Sequence, residues 1–534
     1  VTTGNFDNRN GGLYAKSLMR VVGHDFDNSG DNDGQVAAGQ IDLDLSGALN
    51  NRLGIIESES TLKVRAASLD NQTGRLRALG TTGTTEFAIG GLFDNSNGVL
   101  ETANTNLALN AGSLQNLGGN VLHVGTGNFG IAPANLNDVG GSLVTQGDLT
   151  ITQDNWTNSS VIQAGQLTVN VNTLDQTATG QLLGARRFIG NGGNWTTSGL
   201  IASDGDLDLT LSGALNSTGR VSSLGALNLT AAQANLSETA SIAGGGVTSA
   251  TISGVLNNHG RLTSATDLLI NAGTLNNYAT LGSGQNLTVT TGALLNDHGL
   301  IFSGADMTMR VASLNNSYGD IYSMGNLSVD RDGKGGLADS IINSSASIQS
   351  DGDLSLAAAV MRNERAVLTT NDGGIYTASI TEMPCRRGAD YAGDCDGGKV
   401  NHLWEVVQRD KLEVLQASAA SLISAGRNIT LTGGQLLNSS SSIGAAGMIN
   451  ITVNNLTNTG IETGETETWR LFRSERTRDA SDWYALAADF NRKYSVGGAA
   501  YNPNDLGGLE AAMAAFIGTT EKESVSLRRV TNIA

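Results

Sequence analysis

The chain has 534 residues with 70 glycines but only three prolines and 4 % aromatics, a composition that excludes an ordinary string of compact globular domains. Its formal charge of −18, from 32 Lys and Arg against 50 Asp and Glu, repels phosphate backbones and anionic lipid surfaces and argues against nucleic-acid binding. No stretch approaches the ~18 uninterrupted apolar residues of a membrane span, and Val1 to Asn10 has neither a basic nor an apolar signal region. No membrane insertion is expected, and the chain reads as a piece that starts inside a running pattern.

With 39 % hydrophobic residues, the entropy cost of ordering is offset only if Leu, Val, Ile and Ala stack regularly. A Leu-x-Asn signature recurs along the chain. It stands at Leu49-Asn50-Asn51, Leu69-Asp70-Asn71, Leu114-Gln115-Asn116, Leu256-Asn257-Asn258, Leu275-Asn276-Asn277, Leu295-Asn296-Asp297 and Leu314-Asn315-Asn316. Weaker copies at Trp156, Leu174, Trp195, Leu215, Leu236, Leu436 and Leu456 fill the gaps, so the period is about 20 residues.

Each unit reads turn, short strand, turn, longer strand, as in Arg261 to Ser264 followed by Asp267 to Gly273. Glycine at this density would cost helices about 1 kcal/mol per interior residue, so strand coils win. A unit this short cannot bury its apolar face alone and must stack on its neighbours at about 4.8 Å per coil. Leu49, Leu69, Leu256, Leu275, Leu295 and Leu314 are expected in one interior column. The following Asn residues are expected at an αL corner, with their amides bonding the next coil.

The fold class is therefore all-β: a right-handed parallel β-helix solenoid with a hairpin insertion and a small C-terminal α+β extension. Residues 1–370 and 414–461 are the repeats, about 21 coils over roughly 100 Å.

Residues 371–413 interrupt the register, and 13 of these 43 are charged. Ile375 to Ile380 and Leu403 to Gln408 predict a long β-hairpin, with Cys385 and Cys395 near its tip. Their spacing suits a small disulfide-closed loop in an oxidising compartment, the alternative being two free thiols.

Residues 462–534 change character again, with 20 charged residues in 73 and 8 of the chain's 24 aromatics. Trp469 to Arg476 and Glu523 to Val530 predict two strands. Between them a helix with Ser481 as cap would carry Trp483, Leu486, Phe490 and Tyr494 on one face. A second helix would start from Asp505, carry Leu506, Leu509, Met513 and Phe516, and stop at Gly518. Trp404, Trp469, Phe472, Trp483 and Tyr484 are the candidate receptor contacts, weighed against the plainer reading that such aromatics form a local core.

Enzyme chemistry finds little support. His24, His123, His259, His298 and His402 are scattered, none at ligand spacing with another His, Cys or Glu, so no metal or other cofactor is expected. Parallel β-helices also include polysaccharide-degrading enzymes, but Asp204-Gly205-Asp206 and Asp351-Gly352-Asp353 share a repeat position with Gln146-Gly147-Asp148, which marks a turn rather than a unique catalytic centre. The chain is read as a non-enzyme.

The run Leu314 to Leu327, Leu-x-Asn-x-x-Gly-x-Ile-x-Ser-x-Gly-x-Leu, resembles the haemagglutinin repeats of filamentous haemagglutinin-type two-partner-secretion exoproteins. The passage from Leu412-Glu413-Val414 to Ser424-Ala425-Gly426-Arg427-Asn428-Ile429 is similar to that family too. Trp469 to Val530 resembles the segment after the first haemagglutinin-repeat region of contact-dependent growth-inhibition proteins. The resemblance implies an outer-membrane two-partner-secretion transporter as partner and display on the bacterial surface. It further implies a receptor on the target cell, either a bacterial outer-membrane protein or a glycan. Toxin delivery to neighbouring bacteria is the leading expectation, and adhesion to host cells or glycans the alternative.

Overall fold

Short apolar stretches that end at Gly, Asn or Asp favour strands that pair with the same strand one coil along, not with their sequence neighbours. The structure is a computed structural model and describes residues 1, 4–30, 34–371, 373–383, 400–461, 463–520 and 522–533. Its larger compact unit, residues 1–363, 421–438 and 442–457, is the body of a parallel β-solenoid of about 22 turns. Short strands stack on short strands, as Arg261–Ser264 on Thr280–Ser283, and long on long, as Leu268–Asn277 on Leu287–Asp297. Leu262, Leu281, Ile301, Ile321, Ile348 and Ile423 form one interior column, each at most 2 % exposed.

The expected leucine column is present with one correction. Leu256 pairs with Leu275, but the next members are Leu294 and Leu314, and Leu295 is half-exposed. Asn296 stands two residues after Leu294, whereas Leu295 has Asp297 in that place, and a slip of one residue along a strand turns the side chain to the other face. The asparagine decides between them: Asn296 is fully buried, so the interior leucine is the one two residues before it.

Those buried asparagines form amide ladders. The Nδ2 of each donates to the Oδ1 of the next at 2.6–2.8 Å through Asn8, Asn28, Asn51, Asn71, Asn95 and Asn116. A second ladder runs through Asn258, Asn277, Asn296, Asn316, Asn343, Asn363 and Asn438 at 2.7–2.9 Å. The same Nδ2 groups also reach backbone carbonyls, as Asn296 does to Gly299 at 3.0 Å. A buried amide costs little only when so satisfied.

The αL geometry expected at the asparagines lies two residues further on, at Asn10, Leu53, Thr73, Asn97, His298 and Tyr318, with φ between 50 and 64°. The ladder amide needs an extended backbone to point inward, so the following residues make the turn. Glycine closes it because the chain then passes the ladder too closely for a side chain. A Cβ on Gly54 would lie 2.1 Å from the Asn28 carbonyl oxygen and 2.7 Å from Asn51 Oδ1.

Between the ladders the same column holds Asn158, Gln176, Thr197, Ser217 and Leu236. Here tryptophans replace leucines. Trp156 and Trp195 are buried, and their indole N–H groups donate to the carbonyls of Leu136 at 2.9 Å and Val171 at 2.8 Å. Gly190 makes room for one of them, since a Cβ there would come within 2.6 Å of the Trp195 ring.

A third ladder lies on the outside of the coil. Asp267, Asn286, Asp306, Asn326, Asp353 and Asn428 each accept, through Oδ1, a backbone N–H of the next coil at 2.8–3.3 Å. Asp148 and Asp206 do the same for Gln166 and Ala226. The carboxylates that recur with the period thus staple coil to coil.

His123 is buried at the opposite corner, its ring nitrogens 2.9 Å from Thr145 Oγ1 and 3.0 Å from the Asn104 carbonyl. Burial lowers its pKa below 6.5. The unfolded chain therefore takes up a proton that the folded ring resists, and stability falls as pH drops below 6.5. Thermal unfolding at about pH 7.5 and about pH 5.5, on either side of the histidine range, should show this loss, and His123→Gln should reduce it.

Asn296→Leu strands the Asn277 donor and the Asn316 acceptor, at about 1–3 kcal/mol for each unsatisfied group. Hydrogen exchange at Leu275–Asn277 and Leu314–Asn316 should accelerate by roughly ten-fold or more, while Leu49–Asn51, in the other ladder, stays unchanged.

Candidate functional site

The second compact unit comprises residues 364–420, 439–441 and 458–534, so both departures from the repeat belong to it. Its sheet is antiparallel, in the order β1 (Ile375–Met383), β2 (Val400–Leu412), β3 (Gly464–Thr477) and β4 (Lys522–Ile533). The hairpin read from sequence is β1–β2, with Ile380 opposite Val406. β3 then pairs along β2, Trp404 opposite Phe472 and Val407 opposite Trp469. Cys385 and Cys395 lie outside the described residues.

Two helices pack on this unit, α1 (Ser481–Tyr494) and α2 (Leu509–Gly518). Ser481 is the first residue of α1 rather than its cap, and its N–H is held by the Asp479 carboxylate at 2.9 Å, which lowers the Asp479 pKa. The buried stripe of α1 runs through Ala487 and Phe490, and Leu486, expected inside, is 48 % exposed. α2 starts after Gly508 at φ 87°, not at Asp505, and buries Leu509, Met513 and Phe516.

Of the five candidate aromatics, Trp404 and Phe472 are core residues at 1 % and 3 % exposure, packed with Phe490 and Phe516. Trp404 meets Phe516 edge-on at 5.4 Å and Tyr484 at 5.5 Å. Trp469, an odd number of residues from Phe472 on the same strand, is on the opposite sheet face, where its indole N–H donates to Glu405. Trp483 is half-buried and its indole reaches Thr519 Oγ1 at 3.1 Å. Tyr484 remains 47 % exposed.

Sequence reading missed the polar groups that fasten the helices. The Asn491 side chain completes the edge of β1 as another strand would, accepting the Ile380 N–H at 2.8 Å and donating to the Ile380 carbonyl at 2.6 Å. Glu382 accepts hydrogen bonds from Tyr484 and pairs with His402, tying α1 to β1 and β2. The available signals were an amide next to Phe490 on the apolar side of α1 and a carboxylate on an alternating strand; neither names its partner.

Comparison with known proteins adds two matches. A haemagglutinin-repeat family model matches residues 322–381 and 407–473. The deoxyribonuclease CdiA of Dickeya dadantii (strain 3937) is 27 % identical over 394 residues, which cover 72 % of this chain. Both matches support assigning the chain to a region of a filamentous haemagglutinin/CdiA-type exoprotein. The chain spans 9 % of that relative's length. No solved structure matches. The two matches support reading the solenoid as a segment of an extracellular two-partner-secretion filament. No helix among the described residues is long and apolar enough to cross a membrane.

The Glu382 carboxylate pushes the Tyr484 phenol up to about 12, from an ordinary 10.0. Burial, then Glu465, does the same to Tyr376. The stability each phenol contributes is present below pH 10 and lost as pH rises toward 12. Alkaline titration followed by tyrosinate absorbance and near-ultraviolet circular dichroism should show a late ionisation coupled to loss of helix packing, and Tyr484→Phe should remove one such late step.

Proposed function

We propose that this exoprotein segment is part of a toxin-delivery stalk of the contact-dependent growth-inhibition kind, and that its second unit contacts a receptor on a neighbouring bacterium. The observation that carries this reading is that the two departures from the repeat fold into one α+β sheet unit rather than ending as separate loops. A long ordered excursion from a repeat fold is a frequent place for binding. Tyr484 and Leu486, on the two flanks of the buried stripe of α1, offer exposed apolar area, with Trp483 beside Leu486 and the Glu382–His402 pair beside Tyr484. Trp404 and Phe472 then support that surface from beneath, and Trp469 belongs to the other sheet face. Likeness to a protein named for a deoxyribonuclease favours toxin delivery over host adhesion. The role assigned to this segment is reach and presentation, not catalysis.

Binding of the purified chain to panels of bacterial and host cells tests the reading. Saturable binding to bacteria, weakened roughly ten-fold or more by Tyr484→Ser or Leu486→Ser with unchanged circular dichroism, is expected for a contact patch with a few dominant side chains. Unaltered binding by both variants would move the contact elsewhere, and binding confined to host cells or glycans would favour the adhesin reading.

A further inference from the structure

The outward face of the short strands carries core-type side chains over two successive coils. Leu300 is 38 % and Met324 59 % exposed, and Phe302 and Tyr322 are half-buried. The Phe302 ring lies flat on the coil before it, since a Cβ on Gly282 would come within 2.2–3.0 Å of three of its ring carbons. Its other side faces away from the sheet. Two columns run along this face, the first reading Arg261, Thr280, Leu300, Asp320 and the second Thr263, Gly282, Phe302, Tyr322. An exposed cation thus stands at one end of the first column and an exposed anion at the other. Among the described residues Arg261 has no ion pair, and the side-chain partner of Asp320 is the Ser347 hydroxyl.

We propose that this face docks on the same face of a second copy of the chain, the two solenoids running in opposite directions about a twofold axis parallel to the strands. Such an axis reverses the order of each column. Arg261 of each copy then meets Asp320 of the other, and Thr280 meets Leu300. The Phe302 rings, each leaning over Gly282 and so toward the axis, meet by their outward sides. At the corner that follows, Ala265, Gly284, Gly304 and Met324 hold one position in four successive coils, so reversal sets Met324 over Ala265 and glycine over glycine. One coil further out the pairs are Ser241 with Ser347 and Ala243 with Gln349, so no like charges meet. The parallel arrangement, with the axis along the coil stack, sets Arg261 against Thr263 and Asp320 against Tyr322 and leaves both charges unmatched. Complementarity of charge and of size therefore selects the antiparallel pair. Where the exoprotein is displayed on bacteria, a reversed pair joins chains that reach from facing cells. The pairing itself is independent of the receptor reading, which concerns the second unit.

Sedimentation equilibrium of the purified chain over roughly 1–200 µM, a range suited to a small interface, tests this. A monomer–dimer equilibrium is expected. Arg261→Asp and Asp320→Arg, both at exposed positions and both with unchanged circular dichroism, should each weaken it by about ten-fold or more, because either change sets like charges together at both contacts. Mixing the two single variants should restore the dimer as a heterodimer, in which both contacts again join opposite charges. A chain that stays monomeric throughout, a dimer indifferent to both variants, or a weakened dimer that the mixture does not restore would each overturn the proposal.

Discussion

The rest of the solenoid depends on the hydrogen bond between one buried asparagine amide and the next. A column of leucines makes a core but specifies register weakly, because burial is non-directional and a neighbouring apolar residue serves almost as well. An amide in the same interior carries a penalty unless both its N–H and its carbonyl are matched, and along the ladders the amide of the adjacent coil at the same level matches them together with nearby backbone carbonyls. That asymmetry converts a loose apolar stack into a fixed one. It also explains why Leu294 and not Leu295 is interior: the ladder places Asn296, and the leucine follows.

The ladder further accounts for how the filament tolerates interruption. Asn316 bonds Asn343 across 27 residues and Asn363 bonds Asn438 across 75, so the column is indifferent to how much chain separates two coils. Loop closure costs little more for a long excursion than for a short one. Insertions therefore arise at turns without breaking the core, and the second unit is built from two of them. Its edge strand is in turn protected by a side-chain amide, Asn491, the same chemistry used singly.

Where the inner ladder lapses, other devices hold the coils. Trp156 and Trp195 fill the core and send their indole N–H groups to backbone carbonyls, and Gln176 bonds Gly180 at 3.0 Å and Leu200 at 2.8 Å. The outer ladder of Asp and Asn is the counterpart on the solvent side, with the difference that its acceptors take backbone N–H groups and so leave side-chain identity freer. This is why Asp and Asn alternate there while the inner column holds Asn.

The repeat length, the strand coils, the interior leucines and the turn role of the recurring aspartates were legible in the sequence, because each depends on spacing along one chain and a period of about 20 residues displays that spacing many times over. The position of the αL residues was not, because the backbone before the turn is set by the direction in which the buried amide must point. Nor was the union of Ile375–Leu412 with Gly464–Ile533 in one sheet, or the burial of Trp404 and Phe472 beneath α1 and α2. A strand's sequence records that it alternates but not which partner it meets, and when two coils of another unit intervene, only the folded chain brings the partners together.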